Sequence, residues 1–209
     1  MIKVLTIERE YGSGANVIAQ HVAERLGWKL WDQALTDEVA RYLECDRRQV
    51  ERREERRDPF HYRLLKSFLH GSFEGSMNTP EIKIADAEGI RRVTERLVRK
   101  AAAEGSAVIV GRGAAHYLHD EPDAFHVFIY APFEEKVRRV ESEGKSESEA
   151  MNLVENVDRD RTAFIKQHFA IDWPCRPFFH LMVNSTVGVD AAVETIVNGM
   201  AAMGKRRVA

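Results

Sequence analysis

The chain switches repeatedly between two hydrophobic periods. Residues 2–7 are a short apolar run that reads as a buried strand. Beyond a turn at residues 8–14, apolar residues recur at Ile18, Ala19, Val22, Ala23 and Leu26, a helical spacing that Gly27 ends. Residues 28–31 form a second short apolar run, with Asp32 at its end. Residues 36–43 carry Val39, Ala40 and Leu43 on one helical face, residues 46–58 predict a polar helix that stops at Pro59, and residues 60–68 a more apolar helical piece. Residues 71–80, rich in Gly, Ser and Asn and ending in Pro80, predict a loop. Alternation then resumes: helix over 85–103, strand over 107–110, strand over 125–130, helix from 133. Ser146 and Glu149 have the spacing of a capping box, starting a helix that runs to about 168. A last strand over 179–183 and a last helix over 191–203 complete the series. Phe178, Phe179 and His180 read as core, and Trp173-Pro174 as a docked loop.

Five strand-like runs alternating with helices predict an α/β fold: a five-stranded parallel sheet with helices on both faces. The length of 209 residues suits one domain, taken as 1–209. No run of about 20 apolar residues exists to span a membrane. The opening residues read as a strand and not as a signal peptide. Cys45 and Cys175 have no metal or redox spacing, which fits a reducing cytoplasm. A net charge of -2 gives no bulk attraction to nucleic acid. The arginine pairs 47–48, 52–53 and 56–57, interleaved with Glu51, Glu54 and Glu55, read as a solvated, ion-paired helix. The same helix offers a surface for self-association.

The chemistry concentrates where the strands end. Ligands of a doubly wound sheet bind beyond the C-terminal strand ends. There the first strand supplies Arg9 and the turn Gly12-Ser13-Gly14, which leads into a helix at Ala15 and Asn16. Strand, glycine turn, helix is the build of an anion cradle, with backbone N–H groups and the positive helix end acting together. The second strand supplies Asp32, a substrate-binding candidate that equally suits a helix cap. The third supplies Arg112 between Gly111 and Gly113, and the helix after the fourth carries Arg138 and Arg139. The long helix carries Asp158, Arg159, Asp160 and Arg161 in a row. Converging arginines match phosphate oxygens two at a time and suit phosphoryl transfer, where positioning and charge neutralisation dominate.

Several of these segments resemble, in order, the cytidylate-kinase-like family of P-loop nucleoside monophosphate kinases. They are residues 7–14 (IEREYGSG), 108–113 (VIVGRG), 128–132 (FIYAP), 158–161 (DRDR), Asp172-Trp173 and 183–185 (VNS). The resemblance implies a nucleotide-kinase fold, ATP with Mg²⁺ at Gly12, Ser13, Gly14, Ala15 and Asn16, and a small-molecule nucleotide, CMP or dCMP, as acceptor. It further implies that Arg112 holds the acceptor phosphate. Arg139 and the 158–161 segment, with Arg159 and Arg161 as its arginines, would belong to a lid at about 143–175. Asp160 would lie on the nucleoside side, and residues 33–88 would replace the acceptor-binding region, where the match is poorest.

The departures from the phosphate-loop pattern G-x-x-x-x-G-K-[ST] are specific. Arg9 stands at the first glycine, Ala15 at the lysine and Asn16 at the Mg²⁺-binding hydroxyl. The lid also has Ala163 where cytidylate kinases carry an arginine. One hydrogen bond to a charged group is worth about 1.5–3 kcal/mol, so a lost lysine costs roughly ten- to more than a hundredfold. Arg9 is the nearest residue to compensate, and the Asn16 amide oxygen the nearest substitute for the hydroxyl. Two readings follow: an ATP-dependent kinase for a nucleoside monophosphate or another small acceptor, or a nucleotide or phosphate sensor that keeps the fold with little catalysis. The plainer readings are a bare turn at residues 12–14, a surface arginine at 112, helix-surface ion pairs at 158–161, and pairing of Arg138 or Arg139 with Glu134 or Glu135. His116 and His119, three apart, have no nearby third ligand for a metal beyond Asp120 and Glu121.

Overall fold

A computed structural model gives the structure of residues 1–32 and 87–206. The elements run β1 (Val4–Arg9), α1 (Ala15–Leu26), β2 (Lys29–Trp31), α2 (Ala87–Glu104), β3 (Ala107–Val110), α3 (Ala114–Tyr117), β4 (Ala124–Tyr130), α4 (Phe133–Ser142), α5 (Glu147–Phe169), β5 (Leu181–Asn184) and α6 (Val189–Arg206). The strands form one sheet in the order β2-β3-β1-β4-β5. Every pairing is parallel, as the βα alternation predicts. The helices expected over 36–43, 46–58 and 60–68 and the loop over 71–80 lie outside the described residues.

The apolar runs are continuous because both sheet faces are covered. On one face, Leu5 and Ile7 of β1, Val108 and Val110 of β3 and Val127 and Ile129 of β4 pack against Ile18 and Val22 of α1 and Ile196 of α6. On the other, Val4, Ala107, Ile109 and Ala124 pack against Leu97, Val98 and Ala101 of α2 and against α3. A third cluster joins α4 to α5 through Val137, Val140, Ala150, Val154 and Val157, and the Tyr11 side chain enters it. The capping box is formed: Ser146 Oγ accepts from the Glu149 amide while the Glu149 side chain accepts from the Ser146 amide.

Two local expectations are corrected. The last strand starts at Leu181, two residues later than the pattern suggests, because residues 176–178 form a 3-10 turn. Phe178 and Phe179 are half-buried and His180 is exposed, so this segment covers the core without joining it. The four-residue α3 escapes the periodicity altogether, being too short to show one.

β1 is the switch point, hydrogen-bonded to β3 on one side and β4 on the other. Its C-terminal end opens the crevice in which the glycine turn sits.

Candidate phosphate-binding site at the strand ends

The glycine turn follows β1 directly. Gly12 and Gly14 have φ of 71° and 73°, conformations that cost an L residue about 1–2 kcal/mol. Gly12 is also fixed by space: a Cβ there would lie 2.9 Å from the Lys136 carbonyl. Gly14 is the N-cap of α1 and, as a glycine, brings no side chain to cap that end. Ser13 is fully buried, and its Oγ has no hydrogen-bond partner among the described residues. Ala15, at the position of the absent lysine, is buried in the core cluster under α1. Asn16 is half-buried in the first helical turn.

Four of the residues singled out in the sequence come together on the β2-β3-β1 side. Arg9, Arg112 and Arg161 are all buried, at 5%, 2% and 6% exposure. Arg9 lies against the turn after β3, where a Cβ on Gly111 would collide with its guanidinium. Arg112 sits in a left-handed conformation, φ 65°, between two left-handed glycines, a strain typical of functional positions. Burial pushes the Arg112 guanidinium down to about 9; the charge of Asp32 opposes this, Arg9 and Arg161 add to it, and Glu8 opposes it. Asp32, at the end of β2, therefore faces this cluster.

Glu8, which the motif reading passed over, is the second carboxylate of the group. It is 5% exposed, and its Oε1 has no hydrogen-bond partner among the described residues. Burial raises its pKa, while Arg9, Arg161 and the backbone amides of Ala115 and Ala114 pull it down. A signal was present in the sequence. Thr6 and Glu8 are polar at alternate positions among the apolar residues Val4, Leu5 and Ile7 of the central strand, so they share one face.

Arg139 lies apart from this group. Its Nη1 donates to the Ser13 carbonyl (2.6 Å) and to Ser185 Oγ (2.8 Å), beyond the end of β5. Its Nε lies 3.2 Å from Glu135, whereas Arg138 is 73% exposed and 3.0 Å from the same carboxylate. The guanidinium beside Gly14 is thus that of Arg139, while Arg9 points toward β3.

The 158–161 segment is divided. Arg159 is exposed and Asp160 half-buried. Asp158 Oδ1 accepts from the Tyr11 amide (2.8 Å), and Arg161 Nη1 donates to the Arg9 carbonyl (2.9 Å) and to Asp158 Oδ1 (3.1 Å). The ion pair is real, yet it is a buried contact with the loop and not decoration of a helix surface. Lys136, which sequence reasoning also passed over, places Nζ 3.0 Å from Glu10 Oε2 and 3.2 Å from Asp158 Oδ2.

Farther along α3, the ring of His116 contacts those of Phe169 and Phe178. Burial first, and His119 second, push His116 down to about 4. His126, 2.7 Å from Thr6 Oγ1, is pushed down to about 4 by burial and by the neighbouring His180, His119 and His116. Among the described residues no group of three His, Cys, Asp or Glu could hold a metal ion. No described helix is long and apolar enough to cross a membrane.

The fold is that of P-loop kinases. An uncharacterized protein from Eubacterium ventriosum aligns over 96% of this chain and 99% of its own, with a TM-score of 0.67 and 23% identity. Shikimate kinase from Acinetobacter baumannii, solved with shikimate, aligns over 100% and 97% with a TM-score of 0.52 and 13% identity. TT1252 from Thermus thermophilus aligns over 96% and 97% with a TM-score of 0.55 and 18% identity. At such identities these likenesses speak to fold alone. No curated protein matches the sequence. The sequence profile of the cytidylate kinase-like family does match, over residues 4–187, a span that includes the glycine turn, Arg112 and the 158–161 segment: the chain belongs to the cytidylate kinase-like family.

Proposed function

We propose that the protein transfers the γ-phosphoryl group of ATP to a nucleoside monophosphate, CMP or dCMP being the first acceptors to try. The observation that carries this reading is the convergence of Arg9, Arg112 and Arg161 beside the glycine turn, with Glu8 and Asp32 as counter-charges. Arg9 and Arg161 both act on Arg112 as like charges. A phosphate dianion brought to Arg112 would offset that repulsion among the arginines.

The residues present fit a nucleotide. The glycine turn leads into an α1 end whose N-cap, Gly14, has no side chain, and Ser13 Oγ is a buried hydroxyl without a protein partner among the described residues. Residues 12–16 would hold the donor phosphates through backbone N–H groups and the helix end. Asn16 offers an amide oxygen to Mg²⁺. One or two protein oxygens suit Mg²⁺, which otherwise keeps waters and phosphate oxygens. The ion would bridge and neutralise the phosphates of the donor.

In this reading Arg112 fixes the acceptor phosphate, and its left-handed backbone aims the side chain. Arg9 and Arg161 add positive potential where charge spreads over the transferring group. Glu8 holds the arginines in place without touching the phosphate. Transfer is direct and in line, so no nucleophilic side chain is required. Arg139, anchored to Ser13 and Ser185, borders the donor side of the turn.

The test is a coupled assay of ADP formation with Mg²⁺ over a panel of nucleoside monophosphates. Acceptor-dependent turnover supports the reading. Binding of ATP without turnover on any acceptor would favour the sensor reading that Ala15 motivates, and no ATP binding would end both.

A further inference from the structure

Residues 9–12 lead into the glycine turn, and the α4–α5 pair grips each of them. The Arg9 carbonyl accepts from Arg161. The Glu10 carboxylate meets Lys136 and, at 3.4 Å, the Ala131 amide. The Tyr11 amide donates to Asp158, and its ring is buried among Val137, Val140 and Val154. Gly12 lies flat against the Lys136 backbone. Lys136 is the hub of this grip. It is 8% exposed, and its ammonium joins Glu10, on the loop side, to Asp158, on the α5 side. Lys136 pairs with both Glu10 and Asp158, and Arg161 pairs with Asp158. Asp158 and Arg161 also reach the loop backbone at Tyr11 and Arg9.

We propose that Lys136, acting through Glu10 and Asp158, is a positioning residue that holds residues 9–12 in their binding shape before any nucleotide arrives. This rests on the reading of the glycine turn as the ATP site. A loop with Ala15 in place of the lysine supplies no cation from that position, and an outer clamp lets the loop meet the phosphates already formed. Preorganisation of this kind raises affinity by removing the ordering cost from the binding step. Because Arg161 also lies in the charge field of Arg112 and Glu8, one turn of α5 serves both sides of the site.

The variants Lys136→Met, Lys136→Arg and Glu10→Gln test this in the full chain. Backbone hydrogen exchange of residues 9–14 is measured without nucleotide, a non-hydrolysable ATP analogue is titrated by calorimetry, and KM is compared for ATP and for CMP. In Lys136→Met, exchange at residues 9–14 is expected to rise at least ~10-fold. Analogue affinity and KM for ATP should weaken about 10- to 100-fold, the size of one charge-assisted hydrogen bond, with KM for CMP unmoved. Lys136→Arg should restore most of both. Unchanged loop exchange in a folded Lys136→Met protein overturns the proposal, as does faster exchange spread evenly over the chain with no rescue by arginine. Should Lys136→Met not fold, Glu10→Gln removes one arm alone, and unchanged loop exchange there overturns the proposal equally. A wild type that binds no ATP analogue ends the kinase reading, while the exchange measurement still decides the clamp.

Discussion

Two turns of this molecule are built alike and behave differently. After β1 and again after β3 the chain passes through left-handed glycines into a helix whose N-cap is a glycine, Gly14 in one case and Gly113 in the other. At the first, α1 runs for 12 residues and its N-cap glycine brings no capping side chain. At the second, α3 runs for four residues, and the Glu8 carboxylate already faces the amides of Ala114 and Ala115. The same local motif thus gives an anion cradle in one place and, in the other, an internal anchor that carries Arg112. What separates them is the side chain that the neighbouring strand projects across the turn.

The largest effect that sharpens this contrast is expected from Arg112→Ala. A transition-state arginine is worth about 10³–10⁵ in rate, so turnover should fall ~10³-fold or more while affinity for an ATP analogue holds. A parallel loss of analogue affinity, read by calorimetry, would mean that the two turns form one site and not two.

Glu8→Ala attacks the anchor itself. It leaves Arg9, Arg112 and Arg161 facing one another, and breaking a buried charge pair costs about 3–5 kcal/mol. Denaturant unfolding should report that loss, and sulfate, which the wild type also binds in the proposed reading, should stabilise the variant by more than the wild type. Equal sulfate response in both proteins would contradict the assignment of Glu8 to the α3 amides.

Acid should also act on the α3 side. His116 and His126 are held near 4 by burial, against about 6.5 in an unfolded chain. The unfolded state therefore binds more protons between these values, and stability present above pH 6.5 is lost as pH falls toward 4. Between pH 7 and pH 5 the two groups together should remove roughly 2–4 kcal/mol. His116→Phe, which keeps a ring against Phe169 and Phe178, should halve that drop.

The smallest effect is expected at the first turn. Gly12→Ala forces an L residue to φ 71° and its Cβ toward the Lys136 carbonyl. A loss of about 1–2 kcal/mol in unfolding free energy is expected, with weaker analogue binding. An unchanged melting temperature would show that the turn can relax away from Lys136.

The sheet was legible in the sequence because every strand but the last is a short apolar run between turn signals. Leu5, Ile7, Val108 and Val110 need no context to read as buried. The glycine turn, Arg112 and the 158–161 row were equally visible, each directly after a strand or within the long helix. Partners were not. Asp158 meets Tyr11 across 147 residues of chain, and no periodicity encodes such a contact. Arg9, read as the compensator for the missing lysine, turns instead toward Gly111, while Arg139 from α4 lies beside Gly14. Lys136 stands three residues after Phe133 and four before Val140, on the apolar face of α4. That position was the one trace in the sequence that its ammonium is buried.

The most direct test of the two-turn account is a crystal structure with a non-hydrolysable ATP analogue and CMP bound together. The account predicts the analogue's phosphates on the amides of residues 12–16 and the CMP phosphate on the Arg112 guanidinium, with Glu8 still facing Ala114 and Ala115. Phosphate density on the α3 amides with Glu8 displaced, or no phosphate at residues 12–16, would contradict it.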